Sequence, residues 1–168
     1  RHSTNKHIFF DGDKAIFTDS KGHVIVYSIK TKNVVLKYNF YKKKFKSIEK
    51  KLNIIIDNNI IYISDNIGYL YALNYKTKKL VWAKNYKVPF RSSLKILRNK
   101  IILADTNNTL YFINKLNGEK LKVIPTEENL FKSDFFNSFA WDKESLFYLN
   151  TYGSLYSLSL SGRINWFV

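Results

Sequence analysis

The chain has 168 residues, of which 45% are hydrophobic and 17% aromatic, so it can form a core of ordinary size and is not a disordered chain. Its formal net charge is +15, which raises nucleic acid or an anionic membrane surface as partners, but 24 of the 28 basic residues are Lys and only 4 are Arg. Because nucleic-acid readers depend on Arg for bidentate and stacking contacts, we expect no nucleic-acid partner and interpret most of the charge as a solvated surface.

The first residue and the cysteine content limit what this segment can contain. It begins with Arg1 and has no Met, so we expect a fragment or a processed chain whose signal peptide or lipid anchor was lost with the N-terminus. It has no Cys, which excludes disulfides, thiolate metal sites and Cys nucleophiles within these residues. No apolar run approaches the ~18 residues that a membrane-spanning helix needs.

Short apolar segments of alternating polarity, separated by polar turns, follow one another along the whole chain. Their period of two and their aromatic, β-branched composition predict strands rather than helices. In chain order the predicted strands are His7–Phe10, Lys14–Asp19, His23–Ile29, Asn33–Tyr38, Leu52–Ile56, Ile60–Ser64, Tyr69–Leu73, Leu80–Lys84, Ser93–Leu97, Ile101–Ala104, Thr109–Ile113, Lys120–Ile124, Asn137–Trp141, Leu146–Leu149, Ser154–Leu158 and Ile164–Val168. Strand-sized runs at this regular spacing predict an all-β array.

The predicted strands group into four repeats. An Asp or Asn stands three residues before a turn residue in each repeat, at Asp19, Asp65, Asp105 and Asn150, and successive anchors are 46, 40 and 45 residues apart. This period is that of propeller blades, whereas helical repeats would show a period of 3.6 residues. We therefore predict a single partial β-propeller domain over residues 1–168, with four blades of four antiparallel strands. Its repeat units cover approximately residues 7–45, 52–88, 93–130 and 137–168.

The turn between the third and fourth strands has related chemistry in every unit. It holds Asn117-Gly118 in the third unit and Ser161-Gly162 in the fourth, and Asn-Gly is the strongest short hairpin signal. Lys32 and Lys78 take the equivalent positions in the first two units. A left-handed backbone there would cost each Lys a modest conformational penalty.

Two longer connections break the period. Phe40–Lys51 is rich in Lys and connects the first two units, and Ile124–Asp134 is acidic and precedes the fourth unit. Loops between blades are the usual places for function, although each segment also fits an ordinary solvated loop. Phe40–Lys51 is where a basic binder of nucleic acid or of an anionic surface, our second alternative function, would make its contacts.

The segment from Ala72 to Trp82 reads Ala-Leu-Asn-Tyr-Lys-Thr-Lys-Lys-Leu-Val-Trp. It resembles the pyrroloquinoline-quinone-type propeller repeat, whose usual form is Ala-x-Asp-x-x-Thr-Gly-Lys-x-x-Trp. Asn74 replaces the Asp and Lys78 replaces the Gly, while the Ala, Thr, following Lys and Trp match. The corresponding segment of the fourth unit, which ends at Trp166, matches the repeat with a deletion of one residue. The resemblance covers nearly the whole chain but is sharp only in the second and fourth units.

The resemblance carries expectations about the fold. In that family the Trp docks between adjacent blades, so it implies that Trp82 and Trp166 are structural and do not stack on a substrate. The first and third units have Leu36 and Lys122 at that position. The resemblance also implies an eight-bladed propeller, of which this chain would be about half. The alternative is a closed ring of four blades, which also removes sheet edges.

The family has two functional branches. Quinone-dependent dehydrogenases bind the quinone and Ca²⁺ on the propeller axis, whereas non-enzymatic members, such as the lipoproteins of outer-membrane protein assembly, are protein-binding scaffolds. Lys87–Ser93 and Asn150–Tyr156 are similar to segments of the scaffolds, so we expect a non-catalytic scaffold with no cofactor and no metal. The first alternative is a fragment of a quinone-dependent dehydrogenase, although the adjacent Cys pair of many such enzymes is missing.

The scaffold interpretation places the binding site just after the second unit. Phe90 and Arg91 form an aromatic–Arg pair of the kind found in interface hot spots, and scaffolds of the family use an exposed loop Arg for the partner contact. We predict that these two residues bind a component of the barrel-assembly machinery. The alternative is that Phe90 packs under the blade and Arg91 is only solvated. The resemblance further implies a periplasmic, outer-membrane-associated protein, anchored through the lost N-terminus and monomeric within a complex.

Other candidate sites have simpler explanations. Asp11, Asp13 and Asp19 are spaced like calcium ligands, but the Gly and the closing Glu of an EF-hand loop are absent. The three His residues have no metal-binding spacing. We expect Asp19, Asp65 and Asp105 to accept hydrogen bonds from the backbone of their own turns.

Overall fold

In the computed structural model, the described residues 7–41, 45, 47–127 and 137–168 form sixteen strands in four antiparallel sheets. Sheet one contains β1 (Phe9–Asp11), β2 (Lys14–Thr18), β3 (His23–Ser28) and β4 (Asn33–Asn39). Sheet two contains β5 (Leu52–Asp57), β6 (Ile60–Asp65), β7 (Tyr69–Asn74) and β8 (Lys79–Asn85). Sheet three contains β9 (Lys95–Leu97), β10 (Lys100–Ala104), β11 (Leu110–Asn114) and β12 (Lys120–Ile124). Sheet four contains β13 (Ser138–Trp141), β14 (Ser145–Leu149), β15 (Leu155–Ser159) and β16 (Ile164–Phe167).

Within every sheet, strands that are consecutive in the sequence are hydrogen-bonded neighbours. The predicted all-β array of four four-stranded antiparallel sheets is therefore confirmed. Most strand bounds agree with the predictions to within one or two residues. The described part of the chain contains no helix long and apolar enough to cross a membrane.

One predicted strand is shorter than the sequence pattern indicates. Ser93–Leu97 was expected, but β9 begins only at Lys95. The preceding residues contact the end of β10 through other bonds, because the backbone N–H groups of Arg91 and Ser92 donate to the Ala104 carbonyl and Ser92 Oγ accepts from the Ala104 N–H at 2.7 Å. The Ser92 side chain thus replaces part of the backbone hydrogen bonding that was expected between these two strands.

The inner strands are covered on both faces, which explains their continuous apolar composition. In β6, Ile61 and Ile63 pack in the cluster shared with sheet one, and Tyr62 packs in the cluster shared with sheet three. The fourth strand of each sheet is outermost, and β8 buries only Trp82. Lys residues on this strand protect an exposed edge from pairing with another chain.

Three apolar clusters fill the spaces between successive sheets. The first joins sheets one and two, the second joins sheets two and three, and the third joins sheets three and four. The two end faces of the array are open, since Phe10 of sheet one is 66% exposed and Trp166 of sheet four is 47% exposed. The described sheets thus form an open arc rather than the closed four-bladed ring.

The turn between the third and fourth strands has one backbone conformation in all four sheets. Its φ angle is 53° at Lys32, 58° at Lys78, 72° at Gly118 and 83° at Gly162. The turn is therefore left-handed in all four sheets, a conformation that a Cβ-bearing residue adopts only at some cost. A β-bulge follows at the same register in each sheet, between the third and fourth strands.

The Asp and Asn anchors hold the turn between the second and third strands. Oδ1 of Asp65 accepts the backbone N–H groups of Ile67, Gly68 and Tyr69 at 2.7–2.9 Å. Its other oxygen accepts the Tyr41 hydroxyl at 2.7 Å, which connects the loop after sheet one to sheet two. Asp19, Asp105 and Asn150 make equivalent bonds to their own turns. The predicted structural role of these residues is confirmed.

Burial controls the ionisation of the tyrosines in the core. It raises the pKa values of Tyr41, Tyr71, Tyr86, Tyr111 and Tyr148 above their ordinary value, and Asp65 or Asp105 nearby adds to the effect for some of them. Burial, with a hydrogen bond to Asp11, raises the pKa of Tyr75 to about 12. These groups must therefore stay neutral while the protein is folded.

This leads to a prediction for alkaline pH. A pKa raised in the folded state stabilises the protein fully below the unfolded value of about 10, and this stabilisation is lost as the pH rises above it. We expect the tyrosinate absorbance of these buried rings to appear only as the protein unfolds, with unfolding measured by circular dichroism. The same chain in denaturant, where all tyrosines are solvated, is the control and should ionise near pH 10. Complete ionisation near pH 10 with the fold intact would contradict the burial of these rings.

Candidate functional site

Trp82 lies between sheets two and three. It is 9% exposed, and its Nε1 donates a hydrogen bond to the Lys115 carbonyl at 3.0 Å. The ring also covers Gly118, which lies in the turn that follows β11. Tyr62, two strands away on β6, has its ring centroid 6.2 Å from that of Trp82. Trp82 therefore contacts the next sheet through its ring face and through its only polar atom.

Trp166 occupies the same register in sheet four as Trp82 in sheet two. Trp82 pairs with Ala72 across the sheet, and Trp166 pairs with Ser157, in both cases directly before the bulge. Trp166 is 47% exposed, and its ring centroid lies 6.3 Å from that of Phe147 on the same face. A docking role for Trp166 stays a prediction.

Phe90 is a core residue of the connection between sheets two and three. It is 4% exposed, and its ring makes edge-on contacts with Tyr86 at 5.4 Å and Tyr111 at 5.7 Å between centroids. Its N–H donates to the Asp65 carbonyl, and it forms an isolated β-bridge with Asp105. This matches the alternative that Phe90 packs under the blade. Its predicted role in binding would have to be indirect, through the position of the loop.

Arg91 follows directly and lies at the surface end of the same connection. The side chain is partly exposed, but its Nη1 atom is buried and has no hydrogen-bond partner among the described residues. The cation lies near Tyr148 of sheet four, where burial raises the pKa of the hydroxyl and Arg91 opposes the rise. Because Nη1 is buried, a carboxylate or carbonyl group of a ligand would reach this guanidinium through its other N–H groups.

A polar network beside Arg91 was not predicted from the sequence. Asn108 Oδ1 accepts the Thr151 hydroxyl at 3.0 Å, and Thr126 Oγ1 donates to the Asn108 carbonyl at 2.5 Å. Glu127 accepts from Asn150 and Ser154, and these bonds lower its pKa. The network joins sheets three and four around the start of the acidic connection. The rest of the predicted acidic connection, up to Asp134, lies outside the described residues.

In the described part of the basic connection Phe40–Lys51, fewer positive charges lie at the surface than the sequence indicates. Lys50 is 3% exposed, its Nζ donates to the Phe45 carbonyl, and it lies 5.4 Å from the centre of the Tyr41 ring. Lys50 thus has an internal role and is not available to an anionic surface. Lys42, Lys43, Lys44 and Lys46 lie outside the described residues.

The spacing of Asp11, Asp13 and Asp19 does not produce a shared site. Asp11 accepts from Tyr75, Asp13 contacts Lys14 at 2.5 Å, and Asp19 accepts from His23 at 2.8 Å. Within the ranges that the structure describes, no group of three or more His, Cys, Asp or Glu side chains is arranged to hold a metal ion.

Four antiparallel sheets packed face to face, with a docking Trp and a left-handed turn at repeated positions, define a partial β-propeller of the pyrroloquinoline-quinone repeat type. The family model described as outer membrane protein assembly factor BamB matches residues 46–166. The chain belongs to this family. Among curated protein sequences, none matches it.

Solved structures show the same fold. BamB from Moraxella catarrhalis superposes with a TM-score of 0.78 at 16% identity, over 99% of this chain and 50% of that one. The computationally designed Ika8 protein gives a TM-score of 0.73 at 11% identity, over 91% of this chain and 45% of that one. The designed Ika4 protein gives a TM-score of 0.71 at 11% identity, over 90% of this chain and 88% of that one. The chain therefore spans about half the length of BamB and Ika8, and the predicted partial propeller is confirmed.

Proposed function

We propose that the chain is part of a non-catalytic propeller scaffold that binds a protein partner in the assembly of outer-membrane β-barrel proteins. The family described as BamB supports this role. The observation that carries the proposal to a site is Arg91, a partly exposed residue whose buried Nη1 has no hydrogen-bond partner among the described residues. Its natural partner is a component of the barrel-assembly machinery, bound in the periplasm at the outer membrane.

The geometry of the loop explains how Arg91 would be presented. Phe90 is fixed in the core, and the N–H of Arg91 donates to the Ala104 carbonyl at 3.1 Å, so the backbone on both sides of the side chain is held. A preorganised Arg loses little conformational freedom on binding. The partner would offer a carboxylate or carbonyl group to the guanidinium, because this group only donates hydrogen bonds. One copy of the propeller would act in each complex.

The test is a binding assay with the purified periplasmic domains of the barrel-assembly protein. We expect Arg91→Glu to weaken capture by about thirtyfold, the effect of losing about 2 kcal/mol at an interface hot spot. Arg163→Glu is the matched control, since this exposed Arg makes the same change of charge at a turn of sheet four. Circular dichroism checks that both variants keep the fold.

The outcomes separate the site from the function. Equal capture by Arg91→Glu and the native chain would remove Arg91 from the site. No capture by the native chain, with folded protein and folded partner domains, would contradict the scaffold function for this chain. Phe90→Ala is not a binding test, because the loss of a buried ring lowers stability by itself.

A further inference from the structure

Each sheet offers one residue of its outer strand to a turn of the next sheet. The outer-strand residues are equivalent by register, because each pairs with the third strand directly before the bulge; they are Leu36, Trp82, Lys122 and Trp166. The turn residues are equivalent by their positive φ; they are Lys32, Lys78, Gly118 and Gly162. Within the chain, three junctions pair one residue of the first set with one of the second.

At the second and third junctions, the outer-strand residue packs against a glycine of the next turn. A Cβ atom at Gly118 would lie 2.7 Å from Cε3 of Trp82, which is closer than non-bonded carbon atoms approach. A Cβ atom at Gly162 would lie 3.1 Å from Cδ of Lys122. At the first junction, the smaller Leu36 precedes a turn with Lys78, which has a Cβ. A Trp on one sheet thus requires glycine in the turn of the next.

The open face of sheet four has the apolar character of an unfinished junction. Ala140, Phe147, Ser157 and Trp166 form one row across its four strands. The equivalent row of sheet two ends at Trp82 and packs on sheet three. Trp166 thus occupies, on an uncovered face, the register position that Trp82 has at the second junction.

The open face of sheet one is apolar as well, but its turn does not fit Trp166. Phe10, Ala15, Tyr27 and Val34 form a row across it. The turn beside this row has Lys32 at the position of Gly118, with a φ of 53°. A second copy placed head-to-tail would press its Lys32 Cβ into the Trp166 ring, as a Cβ at Gly118 would press into Trp82.

We propose that Lys32 prevents a second copy of this chain from covering the Trp166 face, because a head-to-tail copy would place its Lys32 Cβ against the Trp166 ring. The repeated junctions within the chain give the geometry of the contact. The superposition on half of the longer BamB chain agrees with an arc that further sheets continue. The Trp–Gly fit then determines which sheet follows which and prevents closure of two identical halves.

The test gives sheet one a turn against which Trp166 of a second copy can pack. In Lys32→Gly, sheet four of each copy can cover sheet one of the other, so two copies close a ring. We expect Lys32→Gly to associate about a hundredfold more tightly than the native chain, on the order of the relief of two overpacked contacts, one at each junction of the closed pair. Velocity sedimentation measures this and separates a closed pair from larger aggregates.

Lys78→Gly is the matched control. It makes the same substitution at a turn with nearly the same φ of 58°, but inside the chain, and should leave association unchanged. Adding Trp166→Ala to Lys32→Gly should return association to the native level. Native chains that pair as tightly as Lys32→Gly would overturn the proposal, and so would a Lys32→Gly variant that gains no association over the native chain.

Discussion

Trp82→Ala is expected to lower the free energy of unfolding by about 3–5 kcal/mol, the usual cost of deleting a large buried aromatic side chain. The ring fills the junction between sheets two and three and is only 9% exposed. Its removal leaves a cavity over Gly118 and deprives the Lys115 carbonyl of the donor at 3.0 Å. In a chain of this size the melting temperature should fall by roughly 6–20 °C.

Trp166→Ala is the matched control for this prediction. It removes the same kind of side chain at the same register of the sheet, but Trp166 is 47% exposed. We expect a loss about half as large as that of Trp82→Ala, because about half of the Trp166 side chain is already in contact with water. Thermal or denaturant unfolding followed by circular dichroism measures both variants. Equal losses for the two variants would show that burial at the junction is not what makes Trp82 important.

The fold was predictable because its causes are local and repeated. The period-2 alternation and the polar turns define the strands, and the four copies define the sheets. The Asp anchors could be recognised at their spacing because an Asp that accepts hydrogen bonds from its own turn needs only neighbouring residues. Lys32 and Lys78 could be assigned a left-handed backbone because the aligned turns carry Gly118 and Gly162.

The site was less predictable because it depends on contacts between repeats. Phe90 and Arg91 are adjacent in sequence, and the pattern alone does not show that the ring enters the core while the neighbouring Arg stays partly exposed with a buried Nη1. The network around Asn108 joins residues up to 43 positions apart. Lys50 belongs to a basic run, yet it is buried beside the ring of Tyr41. Single-residue composition carries no information on these distances.

Asp65→Ala is expected to lower the free energy of unfolding by about 3–5 kcal/mol, the cost of removing one member of a buried charged network. Asp65 is fully buried, and its carboxylate accepts three backbone N–H groups and the Tyr41 hydroxyl. Alanine would leave these donors without partners in a site that water does not reach. The loss should appear in both denaturant and thermal unfolding.

Two variants show whether unsatisfied donors cause the loss. Asp65→Asn keeps an acceptor oxygen at the turn and should be markedly less destabilising than Asp65→Ala. Asp142→Ala removes an acceptor of the N–H groups of Glu144 and Ser145 at an exposed turn, where water replaces it, and should have a much smaller effect. If Asp142→Ala and Asp65→Ala destabilised equally, the turn itself and not its burial would be the cause. If Asp65→Asn were as harmful as Asp65→Ala, the negative charge rather than the acceptor geometry would hold the turn.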